Sequence, residues 1–230
     1  MRFLLLFFPL VLVSQKAFNF DYTLVYKTTY FKEDTTTVNR IFLVNSKDNS
    51  YYALLTKNDS LRYNLILHQR DSLHAEVQIN KDLFLNGEAI NMDCKTIVPF
   101  RNPYKNQIKY YDFIKLNDTV LDAKVLKTYV LKSNLNERKI KRKKIGYNSY
   151  LIDSTIKDFK PNFDHETAYE EWKTDYVFPN GVFVSKIFYD SEANKRVEQN
   201  LIEFKPVHRF ITIIEDCNTN YNIKVSNYKP

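Results

Sequence analysis

Three glycines in 230 residues, beside seven prolines and a single tryptophan, set the first limits on this chain. So few glycines exclude the glycine-rich loops that cradle phosphates, the Gly-x-Ser-x-Gly elbow of many hydrolases, and glycine-based linkers or collagen-like repeats. Turns must instead be made by Asn, Asp and Ser, which bond their own backbone locally. Two cysteines exclude a multiply bridged disulfide scaffold. Beyond residue 13, Lys, Arg, Asp or Asn interrupts every apolar run, so none nears the roughly 20 residues of a membrane span. The four histidines, His68, His74, His165 and His208, are scattered. His165-Glu166 lacks the second histidine four residues on that a zincin helix requires. With no nucleotide, metal or cofactor motif, the chain reads as non-enzymatic, with no catalytic or metal-binding residues assigned and no cofactor.

What is present begins with a leader. Met1-Arg2 precedes eleven apolar residues, Phe3 to Val13, and then polar Ser14-Gln15-Lys16. A cationic start, a short apolar stretch and a small-residue exit describe a secretory signal peptide. Cleavage after Ser14 leaves Gln15 first, although Leu12 is bulky for the third-last position. Ala17 offers a second register, with Gln15 in that place. No cysteine near the junction can take a lipoprotein-type anchor. The expected organisation is therefore a signal peptide over 1–14 and a single antiparallel β domain over 15–230, periplasmic or extracellular after cleavage. Export changes the meaning of the net charge of +7. Outside the cytoplasm it points to an anionic envelope surface or plain solubility and not to nucleic acid, and the mature chain is expected to carry no transmembrane span. An oxidising compartment makes Cys94 and Cys217 candidates for one disulfide, the alternative being two buried, inert thiols.

Period-two alternation dominates the rest. Phe20, Tyr22, Leu24, Tyr26, Thr28 and Tyr30 alternate with more polar neighbours, the pattern of a strand with one buried face. Val38–Val44 and Tyr51–Thr56 flank a polar turn over 45–50. Leu61–Gln69 and Leu73–Ile79 flank Asp71-Ser72, a pairing that would point His68 and His74 to opposite faces. Asn86-Gly87 between short apolar arms predicts a type I′ hairpin turn. Ile108–Leu116, Lys124–Lys132, Tyr147–Ser154, Trp172–Phe178, Val182–Tyr189, Arg196–Phe204 and Arg209–Ile214 complete the expected strands. One short helix is expected over Pro161–Glu171. The expected fold class is thus all-β and mainly antiparallel, a curved meander sheet forming a half-barrel or barrel with at most one or two short helices. The 17 Tyr and 17 Phe suit such a half-buried pleated surface.

Two charged groupings stand out. Glu170-Glu171 and Glu215-Asp216 are adjacent carboxylates, and adjacency alone does not converge two carboxyls across a cleft, so they read as surface charge. Arg138, Lys139, Lys141, Arg142, Lys143 and Lys144 surround one isoleucine, in a stretch expected to be a loop. They are the candidates for contact with an anionic surface.

The leader, the opening Phe20-Asp21-Tyr22-Thr23-Leu24-Val25-Tyr26 strand, and Trp172 through Phe178-Pro179-Asn180-Gly181-Val182-Phe183 together resemble the layout of uncharacterised exported bacterial proteins of the LolA-like and GLPGLI-like kind. The GLPGLI hexapeptide itself is missing. That resemblance implies an incomplete antiparallel barrel with an apolar cavity for acyl chains. Two readings follow: a binding module holding a lipid or other apolar ligand on a curved sheet, or a structural or protein-interaction component of the envelope whose core its own aromatics fill. An interior volume of about 300 Å³ or more would favour the first.

Overall fold

The computed structural model describes residues 15–174 and 177–214. Thirteen strands and three helices follow one another: β1 Gln15–Tyr30, β2 Thr36–Asn45, β3 Asp48–Lys57, β4 Arg62–Gln69, β5 Leu73–Asn80, α1 Lys81–Asn86, β6 Ala89–Met92, β7 Ile97–Pro99, β8 Tyr111–Lys115, β9 Thr119–Leu121, β10 Lys124–Ser133, α2 Glu137–Lys143, β11 Tyr147–Asp153, α3 Glu166–Thr174, β12 Val182–Tyr189 and β13 Lys195–Ile214. They form one open, curved, mostly antiparallel sheet in the order β7-β5-β4-β3-β2-β1-β13-β12-β11-β10-β8, with β6 on β13 and β9 on β10. β6 is parallel to β13. The sheet is two meanders joined where the long strands β1 and β13 lie side by side.

β13 is one 20-residue strand where the sequence suggested two. Pro206, which has no N–H to give to a ladder, sits opposite Tyr22 beside a register shift in which Phe20 pairs with Arg209. The bulge absorbs the missing donor, so the strand bends and does not stop.

Strands β2 to β4 are buried on both faces. Leu43, Ala53, Leu55, Leu65 and Leu67 belong to one core, with Phe18, Phe20, Ala75, Ile211 and Ile213. Their alternating neighbours Phe42, Val44, Tyr52 and Leu54 belong to a second core, with Tyr150, Phe163, Phe178 and Phe183. Hence Tyr51-Tyr52-Ala53-Leu54-Leu55 is a continuous apolar run and not an alternating one.

Scarce glycine shapes the turns as expected. Asn45 Oδ1 accepts from the N–H groups of Lys47 and Asp48 at 2.9 and 3.1 Å, closing the β2–β3 turn. Asp190 Oδ1 accepts from Glu192 and Asn194 N–H, both at 2.9 Å. Left-handed backbone falls on Asp71, Asp122, Ala123, Lys144 and Ala193 as well as on Gly181. Gly181 has no substitute: its φ is +148°, and a Cβ would lie 2.4 Å from the Asp153 carbonyl oxygen.

Four local expectations are corrected. Asn86-Gly87 makes no type I′ hairpin. Residues 81–86 form α1, and Gly87 ends it with φ at −92°, extended backbone that its N–H steadies by donating to the Leu83 carbonyl. The basic run is helix α2, capped by Asn136 Oδ1 accepting from Lys139 N–H at 3.0 Å, and not a loop. Trp172 lies on α3 instead of opening a strand, and α3 starts at Glu166, five residues later than expected. Finally, His68 pairs directly with His74 around a three-residue turn, so both imidazoles share a face, with ring centroids 5.9 Å apart.

Candidate functional site

The segment from Pro161 through α3 covers one face of the curved sheet, and charged side chains fasten it there. Each comes from an element whose local pattern fixes its direction. His68 alternates with Leu67 at the end of β4, so it faces α3 while Leu67 faces the opposite core. Arg70 follows in the turn. Its guanidinium donates to Glu166 Oε1 at 2.8 Å and to the Asn49 carbonyl at 3.3 Å, and it also donates to the Phe163 carbonyl. The same plane stacks 4.2 Å from the Tyr169 ring centroid. His68 Nε2 meets the same Glu166 oxygen at 2.8 Å. Burial works against the Glu166 charge, but the bonds from His68 and Arg70 prevail and hold its pKa below the usual range. A two-point, charge-assisted grip of this kind fixes both position and orientation.

A second group lies beside the first. Asp164 Oδ2 is 3.4 Å from Lys186 Nζ, 3.6 Å from the Arg40 guanidinium, and accepts from Gln199 Nε2 at 3.2 Å. Desolvation opposes its charge, yet these two cations outweigh it and its pKa falls far below that of a free carboxyl. Lys186 is pulled down by burial despite Asp164. Its ammonium stands over the rings of Tyr26, Phe42 and Phe183, 4.6 to 5.8 Å from their centroids. His165 caps α3, its Nδ1 accepting from Thr167 N–H at 3.3 Å. Burial lowers its pKa, which suits an acceptor nitrogen that must stay unprotonated.

Aromatic side chains fill the space beneath. Phe163 and Ile152 are fully buried and Phe183 is 1% exposed. Phe163 packs on Tyr150, Phe178 and Phe183 at 5.2 to 5.8 Å, and Phe178 on Phe113 and Tyr129 at 4.7 and 4.6 Å. Tyr26, in the same core, spends its hydroxyl on the Phe183 carbonyl at 2.9 Å. Side chains at that exposure leave no room for a probe the size of water beside them, still less for an acyl chain. Two apolar grooves border this core. One groove of about 270 Å³ is lined by Leu121, Leu126, Ile156, Val184, Leu201 and Phe204 among others. A second of similar size lies along Ile114, Leu116, Val130, Lys132 and Tyr147.

No protein-family model matches this chain, and no curated protein does. Solved structures are similar in layout. The MucA/MucB complex of Pseudomonas aeruginosa gives a TM-score of 0.42 at 6% identity, covering 82% of this chain and 53% of that one. A MucB crystal structure gives 0.40 at 5%, covering 80% and 53%. A “putative outer membrane lipoprotein-sorting protein domain from Vibrio parahaemolyticus” gives 0.30 at 10%, covering 81% and 85%. The chain spans about half the length of the MucB chains it matches.

The residues singled out from sequence fare differently. Cys94 opens a short 3-10 turn after β6, while Cys217 lies outside the described residues, as do the leader and Glu215-Asp216. Glu170 and Glu171 are not surface charges: both are under 9% exposed on α3. The six cations from Arg138 to Lys144 are exposed together on and just beyond α2. Among the described residues no group of three or more His, Cys, Asp or Glu could hold a metal ion. No described helix is long and apolar enough to cross a membrane. Sequence reasoning missed Arg70, Asp164, Glu166 and Lys186, the charged core of the site. Lys186 did carry a signal, since it is a cation placed on a strand, β12, where it is buried.

Proposed function

We propose that this chain is an exported module of the cell envelope that acts through its outer surface, with its interior closed. The observation that carries this reading is the filled inner face. The site's charged groups are committed to one another and to holding α3, and the aromatics beneath occupy the concavity that an acyl-chain carrier would keep open. Its chemistry is that of a clamp, carboxylates gripped by cations across the covering segment. Export rests on the leader over 1–14, and the domain is taken to run from 15 to 230. Native mass spectrometry of protein recovered from the exported fraction tests the reading. It should give the apo mass, and a fluorescent fatty acid should show no saturable uptake. A stoichiometric co-purifying lipid would overturn it.

A second reading keeps an apolar ligand, placed outside the core in the groove beside Leu201 and Phe204. It is supported by the apolar side chains that line that groove, Leu121 among them at 44% exposed. Photo-labelling with an apolar diazirine probe would mark β9–β10 and the middle of β13 under this reading, and label diffusely under the first.

The bridge between Cys94 and Cys217 also stands as a proposal. Met92 lies opposite Ile213 in the parallel pair, so Cys94 follows two residues after one partner and Cys217 four after the other.

A further inference from the structure

We infer that α2 and its flanking aromatics form a docking face for an anionic phospholipid bilayer. The inference adds a partner to the surface-acting reading and depends on it only for export. Charge distribution is the first observation. The chain's formal charge is +7, and Arg138, Lys139, Lys141, Arg142, Lys143 and Lys144 account for six of it. The rest of the molecule is thus almost neutral, and the excess sits on one seven-residue stretch.

Geometry is the second. At about 100° per residue, the five cations within α2 fan over roughly 200° of its circumference. Ile140 falls in the remaining arc and is the one half-buried residue of the helix. Ile145, just past the helix, donates its N–H back to the Ile140 carbonyl and is half-buried too. None of the six cations makes an ion pair with a described residue, although Asp190, Asp118 and Asp71 all bind cations elsewhere. Lys144 ends the helix in left-handed backbone at φ 52°, which keeps its side chain beyond the last turn.

Aromatic flanks are the third, and they select a bilayer over a soluble polyanion. Tyr110 is 40% exposed, and its carbonyl accepts from Asn134 N–H two residues before the Asn136 cap. Phe188, on the other side, is 38% exposed and packs where a Cβ on Gly146 would touch its ring at 2.7 Å. Cations in the headgroup layer, with a tyrosine and a phenylalanine beside them at the interface, match the two layers of a membrane surface. A soluble polyanion with no ring or chain to pack on, such as polyphosphate, would use the cations alone.

The test uses the exported protein and co-sedimentation with vesicles of phosphatidylcholine, with and without phosphatidylglycerol, at low and high salt. Only the difference between the two lipids is read, so a retained leader, which would bind both, does not intrude. Binding should require phosphatidylglycerol and fall steeply with salt. Substituting Lys141→Gln, Arg142→Gln and Lys143→Gln together should weaken it about 100-fold, at about fivefold per cation near a charged surface. Because these side chains are fully outside the core, circular dichroism should be unchanged. The pair Tyr110→Ser and Phe188→Ser should weaken vesicle binding several-fold while leaving retention on a heparin column intact. Equal binding to neutral vesicles, an unaffected triple variant, or retention on heparin without vesicle binding would each overturn the inference. A co-purified lipid in native mass spectrometry would instead strike the surface-acting reading and leave this one standing.

Discussion

Strands β2, β3 and β4 carry two cores, one on each face, and the two are built differently. On the face shared with β5, β6 and the ends of β1 and β13, the side chains are mostly aliphatic: Leu43, Leu55, Leu65, Leu67 and Ala53 are all fully buried, beside Phe18, Phe20, Tyr51 and Phe84. On the face beneath α3 aromatics predominate among Leu, Ile and Val, and charged groups from Arg40, His68, Arg70, Asp164, Glu166 and Lys186 thread between them. An aliphatic core gains from area removed from water and is tolerant of direction. A buried polar network is directional and costly when incomplete, so it holds a covering segment in one place and one orientation. The difference suggests that the first core supplies cohesion, while the second specifies how α3 closes the sheet.

Breaking the polar side should have the largest effect. Arg70→Met leaves Glu166 buried against His68 alone, removes a stack on Tyr169, and should cost about 4 kcal/mol of unfolding free energy by urea titration. Adding Glu166→Leu to that variant should restore much of the loss, because the uncompensated charge goes with it. If the double variant is no more stable than the single, the network is not what holds α3. Next comes the proposed bridge at the edge of the aliphatic core. Non-reducing peptide mapping should recover Cys94 joined to Cys217, and reduction should lower stability by about 3 kcal/mol. Separate thiols would leave β6 held by its ladder, by the Thr212–Asn91 side-chain bond and by buried Met92.

Leu67→Ala should also cost about 3 kcal/mol, but without displacing α3. Tryptophan fluorescence distinguishes the two faces, since Trp172 lies on α3. Its emission should shift in Arg70→Met and not in Leu67→Ala. An identical shift in both would merge the two cores into one.

Acid gives the smallest and most selective perturbation. His74 and His165 have folded pKa values lowered by burial, the first also by His68 and the second despite Asp164 and Glu166. The unfolded chain then binds more protons than the folded one below the unfolded histidine value of about 6.5, so their stability contribution is complete above it and shrinks as pH falls. The melting temperature should decline from about pH 7.5 to about pH 5.5, while Asp164 and Glu166, both lowered, keep their contribution until the carboxylate range near 4. His165→Asn keeps an acceptor at the start of α3 and removes the titration, so its profile should be flatter. An unchanged slope would assign the acid sensitivity to His74.

Much of the strand content was legible because alternation is a local signal that tertiary packing only reinforces. β1, β4, β5, β11 and β12 lie within a few residues of where the pattern put them, except that β1 begins five residues earlier. The Asn-Gly signal at 86–87 failed because turn chemistry states what a dipeptide permits, not what its neighbours require. There Lys81–Asn86 wind into a helix that buries Phe84 against the aliphatic core, and Gly87 serves to end it. His68 and His74 were misplaced by one residue of register, and a one-residue slip turns every side chain to the other face. The charged site was invisible for another reason: its members are distant in sequence, 98 residues between His68 and Glu166, and no short-range pattern ties them.

By itself, the amino-acid sequence determined the class of fold, the Asn- and Asp-built turns, the concentrated charge at 138–144 and the expectation of export, since each depends on composition or on spacing within a few residues. Tertiary structure decided which face of each strand met which core, that α3 would seal one of them, and that Arg70 and Asp164 would do the fastening. Those choices depend on groups that become neighbours only once the sheet has curved, and burial then fixes them, because an unpaired charge inside costs more than any local preference can offset.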